Sequence, residues 1–184
     1  MGNPKFTTQR VGLVISVDNP WIAASPDDRA IDSLAAQSRG IVEYKNPFSV
    51  RDLTLPEACD QVKSFCLEKQ EEMGQLTCKL KWRHNYYYQV QCQMYCCDVE
   101  WCDFVIRTNK DFHVEHIPRD KVWWQQQLSK LNDFYFRALL PELACPRQGK
   151  GGVREPTPPC HPWKLYTTFT QQLCIMRTVY PTTV

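Results

Sequence analysis

Short apolar runs and alternating apolar and polar positions predict a series of β-strands in this chain. The apolar run VGLVISV predicts a strand over residues 11–17. Shorter extended segments are predicted near residues 29–33, 40–45 and 75–80. Residues 101–107 and 112–116 alternate apolar and polar side chains around Asn109-Lys110-Asp111, which is the pattern of a β-hairpin. We therefore expect a mixed, mostly antiparallel sheet.

Three other segments have the pattern of α-helices. Thr54 is a favourable N-cap for a helix predicted over residues 55–72. Asn85 is the expected N-cap of a second helix over residues 86–98, and a third is predicted over residues 121–140. The inward stripe of the third helix recurs every three or four residues: Trp124, Leu128, Leu131, Tyr135 and Ala138. Strands mixed with helices predict an α/β fold.

The length and composition are typical of one globular domain. The chain has 184 residues, 43% of them apolar, which is enough to build a core. We expect a lead-in over residues 1–10, a folded domain over 11–145, and a flexible Pro-rich tail over 146–184. The 22 basic and 20 acidic residues leave a net charge of +2, which does not by itself indicate a nucleic-acid-binding protein.

The ten cysteines predict buried free thiols rather than disulfides. Most of them lie inside apolar segments, where a free cysteine behaves as a small hydrophobic residue. We find no signal-peptide pattern and no apolar run long enough to cross a membrane, so we expect a soluble protein in a reducing intracellular compartment. Nucleus, mitochondrion and cytoplasm are equally compatible with this pattern.

Two carboxylates and a lysine predict a divalent-metal site. Asp27 follows Ser25-Pro26, and Glu43, Tyr44 and Lys45 end the strand predicted over residues 40–45. Glu43 and Lys45 point to the same face of a strand, while the backbone carbonyl of Tyr44 can turn toward a metal ion. Mg²⁺ or Mn²⁺ prefers such oxygen ligands. Lys45 could orient an attacking water molecule and neutralise charge that grows on a phosphate, so this trio favours phosphodiester hydrolysis.

Each of these signals also has a simpler interpretation. An acid-x-Lys on a strand is commonly an exposed ion pair without catalytic function. The basic cluster of Lys79, Lys81 and Arg83 could contact DNA phosphates or form an exposed turn. The order of the motifs along the chain, rather than any one of them, favours the functional interpretation.

Cysteine and histidine spacing suggests two further metal sites, both of which we regard as weaker. Zinc could be held by Cys97, Cys102, His113 and His116, but the two histidines are closer in sequence than zinc fingers usually have them. An iron–sulfur cluster is the second alternative, but the candidate cysteines that follow the predicted core have loose spacing: Cys145, Cys160 and Cys174.

At these residues the sequence resembles the YqaJ-type viral recombinase domain, the phage lambda exonuclease branch of the PD-(D/E)XK nucleases. The resemblance runs from about residue 11 to residue 145. It depends on five ordered matches: the apolar run into Ala-Ser-Pro-Asp27, Glu43-x-Lys45 followed by Asn46-Pro47, Tyr86-Tyr87-x-Gln89-x-Gln91, Trp101-Cys102-Asp103-Phe104-Val105, and Phe134-Tyr135-Phe136.

The resemblance implies a fold, an activity and a set of residue roles. It implies a restriction-endonuclease-like three-layer core, with a mixed sheet flanked by helices. Asp27 and Glu43 would bind Mg²⁺ or Mn²⁺, and Lys45 would be the catalytic lysine. Gln89 and Gln91 would line the site or contact the DNA backbone; Gln89 and Gln93 share a helix face, so we favour Gln89 over Gln91.

The implied reaction is the metal-dependent digestion of one strand from the end of a linear DNA duplex, in recombination or repair. Members of this family often form homo-oligomeric rings around DNA. This chain has Asp28 where the family usually has glycine, and only residues 1–10 precede the first predicted strand, so the family's N-terminal helix with its acidic residue is expected to be missing. The alternative is therefore a catalytically impaired DNA-binding or protein-interaction remnant, and a zinc-stapled module is a third possibility.

Overall fold

The computed structural model describes residues 5–72 and 74–144, which form two units. The first unit ends at Arg119 and the second begins at Asp120. The described strands and helices of the first unit are, in chain order, β1 Phe6–Arg10, β2 Val14–Ile15, β3 Ala23–Ala24, β4 Asp28–Asp32, β5 Arg39–Lys45, α1 Leu55–Gln61, β6 Leu67–Glu72, β7 Gln75–Leu80, α2 Asn85–Cys97, β8 Trp101–Arg107 and β9 Phe112–Pro118.

A five-stranded mixed sheet forms the centre of the first unit. Its strand order is β1-β4-β5-β8-β9. β5 and β8 are parallel, with Glu43 opposite Phe104, and the other neighbouring strands are antiparallel. Two separate hairpins pair β2 with β3 and β6 with β7. The predicted α/β class, a mixed sheet flanked by helices, is confirmed.

Helix α2 covers one face of the central strands. Ile41 of β5 and Phe104 of β8 are fully buried in a cluster that also contains Val90 and Met94 of α2. Side chains along a strand alternate between faces, so Glu43 lies on the same side of β5 as Ile41. The fold therefore points the acidic residue of the Glu-x-Lys motif toward the helix that carries the glutamines.

The opposite face of the sheet has its own apolar cluster. Trp101 of β8 packs there with Val42 of β5 and Ala30 of β4. A Cβ atom on Gly40 would overlap the Trp101 ring, so only glycine fits at this position. The indole N–H of Trp101 donates to the backbone oxygen of Gln37 at 2.7 Å.

The described part of the second unit is helical. It contains α3 Lys121–Phe134, a π-helical segment Tyr135–Leu139, and α4 Leu140–Ala144. The Asp120 side chain caps α3 by accepting from the Trp123 amide at 2.9 Å. The predicted helix over residues 121–140 is therefore present, although its end has π geometry. None of the described helices is long and apolar enough to cross a membrane.

The strand predicted over residues 11–17 is largely wrong. Only Val14–Ile15 is extended, and the Val17 side chain is 92% exposed. The sheet edge is instead formed by Phe6–Arg10, which pairs with β4 over five residues inside the region predicted to be a lead-in. Backbone hydrogen bonding to β4 decides which segment joins the sheet, and the apolar content of a segment does not by itself predict that pairing.

The helix predicted over residues 55–72 is correct in its first half only. Thr54 caps α1 as predicted, and it forms a capping box with Glu57. The helix ends at Gln61, and residues Leu67–Glu72 pair with β7 instead. The buried side chains of Leu67 and Leu80 face each other in this hairpin, so cross-strand packing overrides a sequence rich in Glu, Lys and Gln.

Helix α2 begins one residue away from its predicted cap. The Asn85 position is already helical, and His84 is the N-cap, because its Nδ1 accepts from the Tyr86 amide at 3.1 Å. The helix ends at Cys97, and its C-cap Asp98 is in the left-handed conformation, with φ of 48°. The observed bounds of α2 differ by one residue at each end from the helix predicted over residues 86–98.

Candidate active site

Asp27 is held beside strand β5 by a hydrogen bond from a backbone amide. Its Oδ2 accepts from the Tyr44 amide at 2.8 Å. The backbone pairing of β4 with β5 reaches only as far as Asp28 and Val42, so the Asp27 side chain continues the ladder beyond its last pair. The carboxylate is exposed, which leaves its other lone pairs accessible.

The Tyr44 carbonyl points toward the same edge of β5 as Asp27. In a strand, the N–H and C=O groups of one residue lie on the same edge, as the paired residues of an antiparallel ladder show. The Tyr44 amide contacts Asp27, so its carbonyl also lies on that side. This placement suits the ligand role predicted for the carbonyl.

Glu43 is buried and held by three side chains. It is only 3% exposed. Gln89 Nε2 donates to its Oε1 at 2.7 Å, Gln93 Nε2 donates to its Oε2 at 2.8 Å, and the Lys45 ammonium forms an ion pair with Oε1. Burial raises the pKa of Glu43, and the charge of Asp27 raises it further, while Lys45 and the Gln93 hydrogen bond lower it. A cation placed between the two carboxylates would relieve both unfavourable effects.

Lys45 lies between the carboxylate and an aromatic ring. Its side chain is 15% exposed, and its Nζ lies 4.7 Å from the centroid of the Tyr86 ring. Tyr86 packs in turn near Phe104, with ring centroids 6.0 Å apart. The ammonium is therefore confined to the position where it compensates the charge of Glu43.

The three glutamines of α2 have different roles. Gln89, predicted to line the site near Lys45, donates to Glu43, and Gln93 donates to the same carboxylate from one turn further along the helix. Gln91 is fully buried and donates to the Pro118 carbonyl at 3.0 Å, away from Glu43, so its predicted contact with DNA is not supported. The sequence placed Gln93 on the face of Gln89 but did not assign it to the site; the four-residue spacing was the signal that could have found it.

The three residues of the predicted basic cluster have different surroundings. Lys81 Nζ donates to the carbonyl oxygens of Phe65 at 2.7 Å and Lys63 at 3.3 Å, so its ammonium is used within the fold. Arg83 is exposed and stacks on the Trp82 ring, with its guanidinium carbon 4.3 Å from the ring centroid. Lys79 is half-buried in β7, opposite Glu68. Arg83 is therefore the predicted phosphate contact that remains best placed.

Asp28, which follows Asp27 directly, does not join the carboxylate site. The Tyr44 hydroxyl donates to its Oδ2 at 3.3 Å. The Tyr44 side chain alternates with Glu43 and Lys45 along β5, so this contact lies on the opposite face of the sheet. The extra carboxylate is therefore separate from Glu43.

The zinc site suggested by spacing is not assembled. Cys102 faces the α2 side of β8, whereas His116 pairs with Asp103, the next residue along, on the other side. Within residues 5–72 and 74–144, no group of three or more His, Cys, Asp or Glu side chains is arranged to hold a metal ion. The iron–sulfur candidates Cys145, Cys160 and Cys174 lie outside the described residues.

The donor set at Asp27 and Glu43 fits a hard divalent cation. Mg²⁺ is commonly bound through one or two carboxylates and keeps several of its waters. The Oε1 atoms of Gln89 and Gln93 are buried and have no hydrogen-bond partner in the described part of the chain. Such acceptors beside two carboxylates match the surroundings of a hydrated cation better than those of an ordinary core.

The mixed sheet flanked by helices is a fold that solved structures share. Two solved structures of the alkaline exonuclease LHK-Exo from Laribacter hongkongensis are similar to the chain. One has a TM-score of 0.53 at 20% identity, and the other, in complex with dAMP, has a TM-score of 0.54 at 21% identity. Each match covers 79% of this chain and 63% of that chain, so the protein spans less than two thirds of the length of this neighbour.

At this level of identity the similarity establishes the fold. No protein-family model and no curated protein matches the chain.

Proposed function

We propose that the protein is a metal-dependent DNA nuclease. The observation that carries the proposal is the convergence on Glu43, where Lys45, Gln89 and Gln93 all contact one buried carboxylate, close enough to Asp27 for its charge to raise the pKa of Glu43. The similarity of the fold to an alkaline exonuclease supports the same function.

The side chains have distinct tasks in this proposal. Asp27, Glu43 and the Tyr44 carbonyl would hold Mg²⁺ or Mn²⁺, which when bound polarises a phosphoryl oxygen and makes water a better nucleophile. Gln89 holds Oε1 of Glu43, and Lys45 places its positive charge beside the same atom. Lys45 would also orient the attacking water and stabilise charge on the transition-state phosphate.

The substrate we propose is the end of a linear DNA duplex, one strand of which is digested. Support comes from the sequence resemblance to the YqaJ-type branch and from the exonuclease neighbour. Recombination or repair would be the setting, in a reducing intracellular compartment, and a homo-oligomeric ring is the assembly that the resemblance implies. Arg83 offers an exposed contact for the phosphate backbone.

A catalytically impaired DNA-binding remnant is the second candidate. It is favoured by one observation: among the described residues, no third acidic, histidine or cysteine side chain joins Asp27 and Glu43 to complete a metal-binding group. Such a remnant would retain the fold and the exposed Arg83 while lacking metal-dependent cleavage.

Cleavage of end-labelled linear duplex DNA separates the two candidates. The purified chain is incubated with Mg²⁺ or Mn²⁺, with chelator as a blank, and with a closed circle of the same sequence as the second substrate. Lys45→Met is the test variant, and Lys69→Met, which breaks an ion pair with Asp60 elsewhere, is its matched control.

We expect the wild type to cleave the linear substrate and not the circle. Lys69→Met should cleave at the wild-type rate, and Lys45→Met should cleave about 100-fold more slowly or worse. Cleavage of the circle as well would replace the exonuclease by an endonuclease. No cleavage by a folded wild-type chain with either metal would refute the nuclease and favour the remnant.

A further inference from the structure

Gln93 connects the two acidic segments of the candidate site. Its side chain is 1% exposed, and its Nε2 lies 2.8 Å from Oε2 of Glu43 and 3.3 Å from the backbone oxygen of Ser25. Ser25 stands two residues before Asp27 and is followed by the buried Pro26. One amide group thus contacts the carboxylate on β5 and the loop that carries the second carboxylate.

The two glutamines hold different oxygens of Glu43. Lys45 and Gln89 both contact Oε1, whereas Gln93 contacts Oε2. A carboxylate held at one oxygen can still rotate about its terminal torsion, which is broad and weakly restricted. Donors at both oxygens fix the plane of the group, so Gln93 supplies the second point that defines its orientation.

Packing alone does not explain why residue 93 is a glutamine. The Oε1 of Gln93 is buried and unpaired within the described residues, and an unsatisfied buried acceptor costs free energy. Gln91 lies on the same helix, is buried to a similar extent, and donates to the Pro118 carbonyl. Helix α2 therefore already has one buried amide that connects it to the rest of the fold. An apolar side chain at residue 93 would fill the space without leaving an orphaned acceptor.

We propose that Gln93 is a positioning residue for the metal site. It fixes the orientation of the Glu43 carboxylate and ties it to the Asp27 loop, so that both carboxylates can bind one divalent cation. This inference rests on the proposed function, because it assumes that Asp27 and Glu43 are the metal ligands. Residues that orient metal ligands typically change metal affinity by about 10- to 100-fold when removed.

Direct Mn²⁺ binding, measured without DNA, tests the proposal. The free Mn²⁺ signal in electron paramagnetic resonance is followed for the wild type, Gln93→Met, Gln93→Asn and Gln91→Met. Gln93→Met keeps an unbranched side chain of similar length, and Gln93→Asn keeps the amide but is too short to span the same contacts. Gln91→Met removes a buried amide from the same helix and is the matched control.

Both Gln93 variants should bind Mn²⁺ about 10-fold more weakly or worse, while Gln91→Met should bind as the wild type does. In DNA cleavage, the metal concentration for half-maximal rate should rise by the same factor in the Gln93 variants. The rate at saturating metal should fall much less, which is the split expected of positioning rather than of participation in the reaction.

The outcomes separate this inference from the proposed function. If the wild type binds Mn²⁺ and cuts DNA, and folded Gln93→Met or Gln93→Asn binds with unchanged affinity, the role of Gln93 is refuted and the nuclease stands. An equal loss in Gln91→Met also refutes it, since the effect would then belong to the whole helix. A wild type that binds no Mn²⁺ overturns the proposed metal site itself, and the role of Gln93 with it.

Discussion

The Tyr44 amide donates to Oδ2 of Asp27 at 2.8 Å, at the point where the backbone pairing of β4 and β5 has ended. A side chain therefore takes the place of a backbone carbonyl in the ladder. The contact anchors Asp27 to the residue that follows Glu43, so strand pairing places the two carboxylates beside each other although sixteen positions separate them in sequence.

Asp27→Asn should abolish metal-dependent cleavage while leaving the fold intact. The asparagine side chain keeps an oxygen acceptor for the Tyr44 amide but loses the negative charge that a divalent cation requires. We expect a fall of about 100-fold or more in the cleavage rate. The free energy of unfolding should change by about 0.5 kcal/mol or less because Asp27 is exposed.

The neighbouring carboxylate provides the control for that experiment. Asp28→Asn removes the same charge one residue further on, but Asp28 contacts the Tyr44 hydroxyl on the opposite face of the sheet. Its cleavage rate should stay near that of the wild type. Equal losses in the two variants would show that general electrostatics, rather than a ligand at residue 27, controls the rate.

His84→Asn should flatten the pH dependence of stability below pH 6.5. His84 caps α2 through its unprotonated Nδ1, and burial, helped by the charge of Lys81, lowers the pKa of His84 from its usual 6.5. The unfolded chain then binds more protons than the folded chain between these two pKa values. The stability that neutral His84 contributes is therefore fully present above pH 6.5, and it is lost as the pH falls toward the pKa of His84 in the folded chain.

Asparagine is a good N-cap that does not titrate in this range. Thermal unfolding of both proteins above and below pH 6.5 gives the difference in unfolding free energy between wild type and variant. This difference should change with pH by about 1 kcal/mol or less. The comparison with wild type is needed because burial also lowers the pKa of His113, which contributes the same slope to both proteins. A difference that is independent of pH would contradict the capping role.

Gly40→Ala should destabilise the first unit through the Trp101 ring. A methyl group on Gly40 would overlap that ring, which is 4% exposed and anchored by its hydrogen bond to the Gln37 carbonyl. We expect a loss of about 1 to 3 kcal/mol in chemical denaturation, the usual range for overpacking. Gly12→Ala is the matched control, because nothing lies within 4 Å of the added atom. A loss of similar size in both variants would show that overlap with the Trp101 ring is not the cause of the destabilisation.

Arg83→Ala should weaken DNA binding without affecting stability. Arg83 is exposed on Trp82, and an arginine that contacts one phosphate contributes about one unit to the slope of log affinity against log salt. Binding to duplex DNA at several salt concentrations measures this slope. Lys81→Met should instead lower the melting temperature, because its ammonium is bound to two backbone carbonyls. An unchanged salt slope in Arg83→Ala would remove Arg83 from the DNA interface.

The local sequence pattern predicted the secondary structure best where the tertiary contacts of a segment favour the same structure as its pattern. The hairpin of β8 and β9 and the helix α2 lie within a few residues of their predicted bounds, because alternation and helical spacing each indicate one buried face. Residues Leu67–Glu72 show the opposite case. Their composition favours a helix, but Leu80 across the hairpin offers a buried contact that no local rule contains.

The candidate site was predicted in most of its residues but not in its connections. Ser-Pro-Asp27, Glu43-x-Lys45 and Gln89 were recognised from their order, and the structure brings all four side chains to one place. Gln91 was included and lies elsewhere, whereas Gln93 was left out and contacts the central carboxylate. A two-residue step on a helix turns a side chain by about 200°, almost to the opposite side, whereas a four-residue step of about 400° nearly restores its direction.

The sequence by itself determined the α/β class, the face of α2 that carries Gln89, and the strand position that sets Glu43 and Lys45 on one side. These follow from periods of two and 3.6 residues, which depend only on neighbours along the chain. The tertiary structure decided that β1 forms the sheet edge, that Asp27 meets the Tyr44 amide, and that Gln93 joins the Ser25 loop to Glu43. Those contacts join segments far apart in sequence, so they depend on which backbone and side-chain groups the packed sheet brings within hydrogen-bonding distance.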